Sequence, residues 1–88
     1  LVALAASDAA LLRDGREERV PADRLAVGDR IVVRPGERVA VDGVVEDGVS
    51  ALDTSPITGE SLPREVGPGD EVSGGTLNAG GRLVVRAT

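Results

Sequence analysis

Apolar and polar positions alternate in short runs along this chain, and glycine or proline punctuates almost every run. Arg30-Ile31-Val32-Val33-Arg34 is apolar at its centre on both faces and closed by arginine at each end, the pattern of a strand buried on two sides. Leu83-Val84-Val85 has the same character and reads as a buried closing strand. Val39 and Val41 alternate with small or polar neighbours, and Val44-Val45 and Val49 to Leu52 read as strands on either side of Gly48. Asp14-Gly15 is a hairpin signal, with Ala9 to Arg13 extended before it and Arg16 to Val20 returning until Pro21. Asp23 to Leu25 is a turn or a single helical turn. Val27-Gly28-Asp29, Pro35-Gly36, Asp42-Gly43 and Pro68-Gly69-Asp70 are further turns, and Glu71 to Ser73 is a short strand. Gly74-Gly75 marks a bulge or a close backbone approach, and Asn78 to Gly81 turns the chain again. Leu1, Leu4, Ala5, Asp8 and Leu12 follow helical spacing loosely, so the first residues read as the end of a helix.

Many short strands with regular turns predict a mainly β domain: a barrel, a jelly roll or a sandwich. Composition supports this. Valine is the commonest residue, with fourteen copies, and its β-branched side chain favours extended backbone. The 88 residues suffice for one domain with one modest core. That core is built from Val, Leu, Ala and Ile, because the chain has no aromatic residue and no Met or Cys.

The same absences narrow the chemistry. Without Cys, His or Lys there is no disulfide, thiol nucleophile, imidazole base or amine nucleophile. The net charge is −5, and the ten basic residues, all Arg, are scattered. An acidic chain with no basic stripe and no stacking platform is a poor nucleic-acid binder. No apolar run reaches the roughly 20 residues of a membrane helix. The Gly-Gly pairs carry no Walker pattern. Asp29, Asp42 and Asp70 adjoin glycine and suit side-chain hydrogen bonds within turns.

Carboxylates are therefore the candidate bases, and one of them has a distinctive setting. Glu60 lies in the loop Ser55 to Pro63, between the hydroxyls of Thr58 and Ser61 and directly after Gly59. Pro56 and Pro63 stiffen the two ends. Such a loop either holds a water as nucleophile at Glu60 or is an ordinary polar connection.

Asp53-Thr54-Ser55-Pro56-Ile57-Thr58-Gly59-Glu60-Ser61-Leu62-Pro63 resembles the signature loop of the actuator domain of P-type ATPases. Two further blocks stand in register with it. Val27 to Val39, followed by Asp42-Gly43, resembles the first block of that family, and Gly69-Asp70-Glu71-Val72 with Gly75-Thr76-Leu77-Asn78 resembles its last. Order and spacing are similar to the heavy-metal-transporting subclass across nearly the whole chain. Two departures are Ala6 and Ala40, each at a place where proline is common in the family.

The resemblance implies a distorted jelly roll, akin to a double-stranded β-helix, as one domain over residues 1–88. Residues 1–6 would end an entering membrane stalk helix, residues 9–88 would form the β-rich body, and Ala87-Thr88 would begin the exit. It implies a cytoplasmic domain of an integral membrane protein, monomeric when isolated and without nucleic acid as a partner. Its partners would be the phosphorylation and nucleotide-binding domains and the transmembrane helices of the same parent chain.

It further implies that the domain rotates to bring Thr58-Gly59-Glu60-Ser61 to an aspartyl-phosphate on another domain. There Glu60 would activate a water, Thr58 and Gly59 would shape the loop beside the phosphate, and Ser61 would hold Glu60. No cofactor or metal is expected in this domain; ATP and Mg2+ would belong to the parent pump. This chain lacks the Asp-Lys-Thr-Gly phosphorylation motif, so the isolated domain is expected to be inactive. Residues flanking the signature lean toward a zinc, cadmium or cobalt exporter over a copper one. A free-standing β-barrel binding module, a small carboxylate-dependent hydrolase and a potassium-pump subunit are the competing readings.

Overall fold

The computed structural model describes residues 8–59 and 63–88, with Ile57 by its backbone alone. The expected N-terminal helical segment lies outside these residues. The described residues form nine strands: β1 (Asp8–Arg13), β2 (Arg16–Pro21), β3 (Arg30–Val33), β4 (Gly43–Asp47), β5 (Ser50–Asp53), β6 (Pro63–Val66), β7 (Glu71–Val72), β8 (Leu77–Asn78) and β9 (Leu83–Ala87). A 3-10 turn spans Ala22–Arg24, and a single helical turn, α1, spans Ser55–Thr58. The strands form two antiparallel sheets, one of six in the order β2-β1-β3-β9-β4-β7 and one of three in the order β6-β5-β8.

β3 and β9 lie inside the larger sheet, which is why both read as apolar on two faces. Ile31, Val33, Leu83 and Val85 face the main core with Val39, Val45, Leu52, Val66 and Val72. Val32 and Val84 face the other way and pack with Ala10 and Leu12 in a second cluster. Burying a Val, Leu or Ile side chain contributes roughly 1.5–3 kcal/mol, so a core without aromatics depends on many such residues at once. Charged pairs lie along the edge of this second cluster. Glu46 bonds Arg30 at 2.8 Å and Arg86 at 3.0 Å. Glu17 takes both guanidinium nitrogens of Arg34, at 2.7 and 2.6 Å. That bidentate bond holds the Glu17 carboxyl below its ordinary range.

The turns follow one chemical rule. In Ala26–Asp29, Arg34–Glu37 and Gly67–Asp70 the fourth N–H donates to the first carbonyl, at 3.0 Å in each case. The third residue is glycine with a positive φ (93°, 86° and 93°), the conformation a type II turn requires. The fourth side chain is a carboxylate that accepts from the first N–H, at 2.9, 2.9 and 2.8 Å. The expected turn roles of Asp29 and Asp70 are realised. That of Asp42 is not: its carboxylate accepts from Gly74 N–H at 2.7 Å, thirty-two residues on, and so ties two distant segments instead of closing a turn.

Several boundaries differ from the sequence reading. Pro21 closes β2 rather than following it, which an edge strand tolerates because the missing N–H breaks no ladder. Gly43 opens β4, packed so closely on β9 that an added Cβ would lie 2.4 Å from the Arg86 carbonyl oxygen. Val49 is exposed, and β5 starts at Ser50. Ala87 is the last residue of β9 and is paired with Gly43. The stretch read as one loop, Ser55 to Pro63, contains α1 and ends in the first residue of β6. β6 itself was not expected. It is an edge strand with Pro63, Arg64 and Glu65 exposed and Val66 alone buried, so it has almost no apolar signal.

Asn78, expected in a turn, is the last residue of β8 and is fully buried. Its amide nitrogen donates to Val33 O of β3 at 3.0 Å and to Gly81 O at 2.8 Å. Its amide oxygen accepts from Gly80 N–H at 3.1 Å and from the Ser50 hydroxyl. Its backbone bonds Gly36 N–H and Glu37 O at 2.7 and 2.8 Å. One residue thus joins the small sheet to the large one.

Candidate active-site loop

β5 and β6 pair from Ser50↔Val66 to Asp53↔Pro63, and this register closes the base of the loop that joins them. β8 flanks β5 on its other side through Leu52↔Asn78 and Asp53↔Leu77. The loop therefore rises from the middle strand of the small sheet, on a base fixed from both sides.

The local sequence dictates how it starts. Asp53 ends β5, and its Oδ1 accepts from Ser55 N–H at 2.9 Å, an Asx turn. The Ser55 hydroxyl, and after it the Ser55 backbone N–H, holds the Asp53 carboxyl below its ordinary range. Ser55 begins α1, and Pro56 fits in this first turn because its missing N–H would have no helical partner there. Thr58 N–H bonds Thr54 O at 3.0 Å, and Gly59 N–H bonds Ser55 O at 2.9 Å. The Thr58 hydroxyl donates to Thr54 O at 3.1 Å and lies 3.5 Å from the Thr54 hydroxyl.

Gly59 then ends the turn in the left-handed region, at φ 79° and ψ −2°. No atom of the described residues lies within 4 Å of where a Gly59 Cβ would stand. Thr58 and Gly59 are both exposed at the head of the loop. Glu60 and Ser61 lie outside the described residues. Of the four predicted site residues, the structure thus brings together Thr58 and Gly59.

Sequence reasoning gave no role to Asp53. The signal was available as Asp-x-Ser immediately before a helical turn, where the carboxylate reaches the N–H two residues on. The nearest alternative to the loop as a site is a cavity of about 260 Å3 with Asp8, Arg19, Glu37 and Arg38 around an apolar floor of Ile31 and Val33. Its lining includes none of the loop's anchors. Among the described residues, no group of three or more acidic, His or Cys side chains is placed to hold a metal ion. No helix among them is long and apolar enough to cross a membrane.

A family model described as the P-type ATPase actuator domain matches residues 3–88. A probable copper-exporting P-type ATPase V of Mycobacterium tuberculosis is 53% identical over all 88 residues. The zinc-transporting ATPase of Bacillus subtilis is 49% identical over the same length. The chain covers 11% and 14% of these two relatives, so it corresponds to a small part of each. Among solved structures, a zinc-transporting PIB-type ATPase in an E2.Pi state superposes with a TM-score of 0.88 at 34% identity, over 97% of this chain and 14% of that one. The fold and the mainly β architecture agree with these matches: the chain belongs to the actuator-domain family of P-type ATPases.

Proposed function

We propose that this chain is the actuator of a metal-exporting P-type ATPase and that its loop promotes hydrolysis of an aspartyl-phosphate carried by another domain of the same parent chain. The observation that best supports this reading is the way the loop is held. Its base is paired on both sides, its first turn is hydrogen-bonded from Asp53 to Gly59, and Gly59, the residue before Glu60 in sequence, is held in the left-handed region.

In this mechanism the domain rotates as a body and carries the loop to the phosphoenzyme. Glu60 orients a water and takes its proton as the water attacks phosphorus. Thr58 and Gly59 shape the surface beside the phosphate and exclude bulk water, and Ser61 holds the Glu60 carboxylate. The P–O bond to the aspartate breaks, and inorganic phosphate leaves. Rotation also pulls on the membrane helices, which couples hydrolysis to ion release. ATP and Mg2+ act at the phosphorylation and nucleotide-binding domains of the parent, on the cytoplasmic side of its membrane. The 88-residue chain alone hydrolyses no ATP above the buffer rate.

The exported ion is a transition-metal cation of the copper and zinc group. Relatives named for copper and for zinc are 53% and 49% identical, too close to carry the lean toward zinc any further.

The test is phosphoenzyme decay in the full-length parent after labelling with ATP. Glu60→Ala is expected to form the aspartyl-phosphate normally and to lose it far more slowly than wild type. Unchanged decay would show that the loop is not the hydrolytic element.

A further inference from the structure

We propose that Asp53 is a positioning residue for the signature loop, holding Ser55 so that the helical turn, as far as Gly59, leaves the sheet in one direction. This rests on the functional reading above and adds a residue to it. Asp53 stands where three elements meet: it ends β5, pairs with Pro63 of β6 and pairs with Leu77 of β8. Its backbone is thus fixed by the sheet, while its carboxylate reaches forward to Ser55 N–H at 2.9 Å. From Ser55 the order continues through the Gly59 N–H to Ser55 O bond of 2.9 Å. The path from rigid strand to the residue before Glu60 is therefore one hydrogen-bonded relay, and Asp53 is its first link.

The rest of the setting fits holding rather than chemistry. Asp53 is half-buried and makes no ion pair with the described residues. Its described side-chain contacts go to the start of the turn, five to six residues before Glu60. Without the carboxylate, the Ser55 N–H loses the acceptor that fixes it, and the turn keeps only its internal bonds. A single helical turn is too short to be stable on those alone. The asparagine side chain offers an oxygen of the same reach, so Asn is able to replace Asp in this role.

The experiment uses the full-length parent with Asp53→Ala, Asp53→Asn, Ser55→Ala and Glu60→Ala, measuring formation and decay of the phosphoenzyme for each. Asp53→Ala is expected to form phosphoenzyme to the wild-type level and to lose it about 10-fold or more slowly. Asp53→Asn is expected within about 3-fold of wild type, a rescue that a catalytic carboxylate would not permit. Ser55→Ala keeps the N–H that Asp53 holds and is expected within about 3-fold of wild type; decay as slow as in Asp53→Ala would overturn the proposal, since the N–H bond would then not be what matters. If Asp53→Ala fails to accumulate, Asp53→Leu, of similar size and without an acceptor, decides the matter. Wild-type decay in Asp53→Ala, or in Asp53→Leu where the former cannot be made, would overturn the proposal. So would an Asn variant as slow as Ala. Glu60→Ala separates the two readings: if it decays slowly while Asp53→Ala does not, only the role of Asp53 fails. If Glu60→Ala itself decays as wild type, the hydrolytic reading fails.

Discussion

Replacing Asn78 by Asp changes one NH2 to one oxygen and leaves the volume of a fully buried site unchanged, so its cost is purely one of hydrogen bonding. In the native chain the amide nitrogen donates to Val33 O and Gly81 O. In Asn78→Asp an oxygen faces those two carbonyls instead. Ionised, it repels both; protonated, it donates to one and leaves the other unpaired. A buried polar group without its partner costs about 1–3 kcal/mol, so losing two donors costs about 4 kcal/mol. That is a large share of the 5–15 kcal/mol typical of a folded domain.

The penalty has a diagnostic pH dependence. Burial and the facing carbonyls favour the neutral acid, so the folded pKa of the new Asp lies above its unfolded value of about 3.9. Between those two values the folded state binds more protons, and stability falls as pH rises. Wild type behaves in the opposite sense, because Glu17 and Asp53 have lowered folded values and their contribution is lost as pH falls. The assay is urea unfolding of the 88-residue chain at several pH values, followed by far-UV circular dichroism because there is no tryptophan or tyrosine to report. The expected result is a variant-minus-wild-type deficit near 4 kcal/mol at pH 7 that shrinks toward pH 4. A deficit below about 1 kcal/mol, or one that does not change with pH, would refute the role assigned to Asn78.

Three further outcomes follow from the described geometry. Gly43→Ala places a methyl 2.4 Å from Arg86 O and 2.6 Å from the Val85 side chain. It should cost about 2–3 kcal/mol in the same unfolding assay, as overpacking against a backbone that cannot yield. Gly59→Ala meets no atom, so its cost is the left-handed backbone alone, about 1 kcal/mol. In the parent pump the same variant should slow phosphoenzyme decay without impairing formation. Glu17→Gln should lower the urea midpoint at pH 7, and the difference from wild type should vanish well below pH 4, where the native carboxyl is protonated and its bond to Arg34 is weakened. Equal deficits at pH 7 and pH 2 would count against that pair.

The legible parts of the fold are those with a strong local cause. Ile31 to Val33 and Leu83 to Val85 announce central strands because both of their faces are buried. Asp14-Gly15, Gly28-Asp29 and Gly69-Asp70 announce turns because each supplies a residue with positive φ, and the Asp of the latter two accepts a backbone hydrogen bond. β6 was illegible because an edge strand needs only one buried residue, Val66. Asn78 was misplaced because a buried asparagine and a turn asparagine look alike in sequence; what separates them is Val33, forty-five positions away. In the site, the flanking pattern was enough to single out Thr58 and Gly59. The part played by Asp53 depends on strand pairings with Pro63 and Leu77, and no local pattern carries those.

The first and last described strands, β1 and β9, both belong to the six-stranded sheet, whereas the loop rises from the three-stranded one. Asn78 and its carbonyl partners, together with the shared core of Leu52 and Val66 against Ile31, Val33 and Val85, are what tie the loop's sheet to those two strands. The two sheets are thus one mechanical unit, and loosening Asn78 would let the loop shift against the strands at the two described ends of the domain without unfolding either sheet.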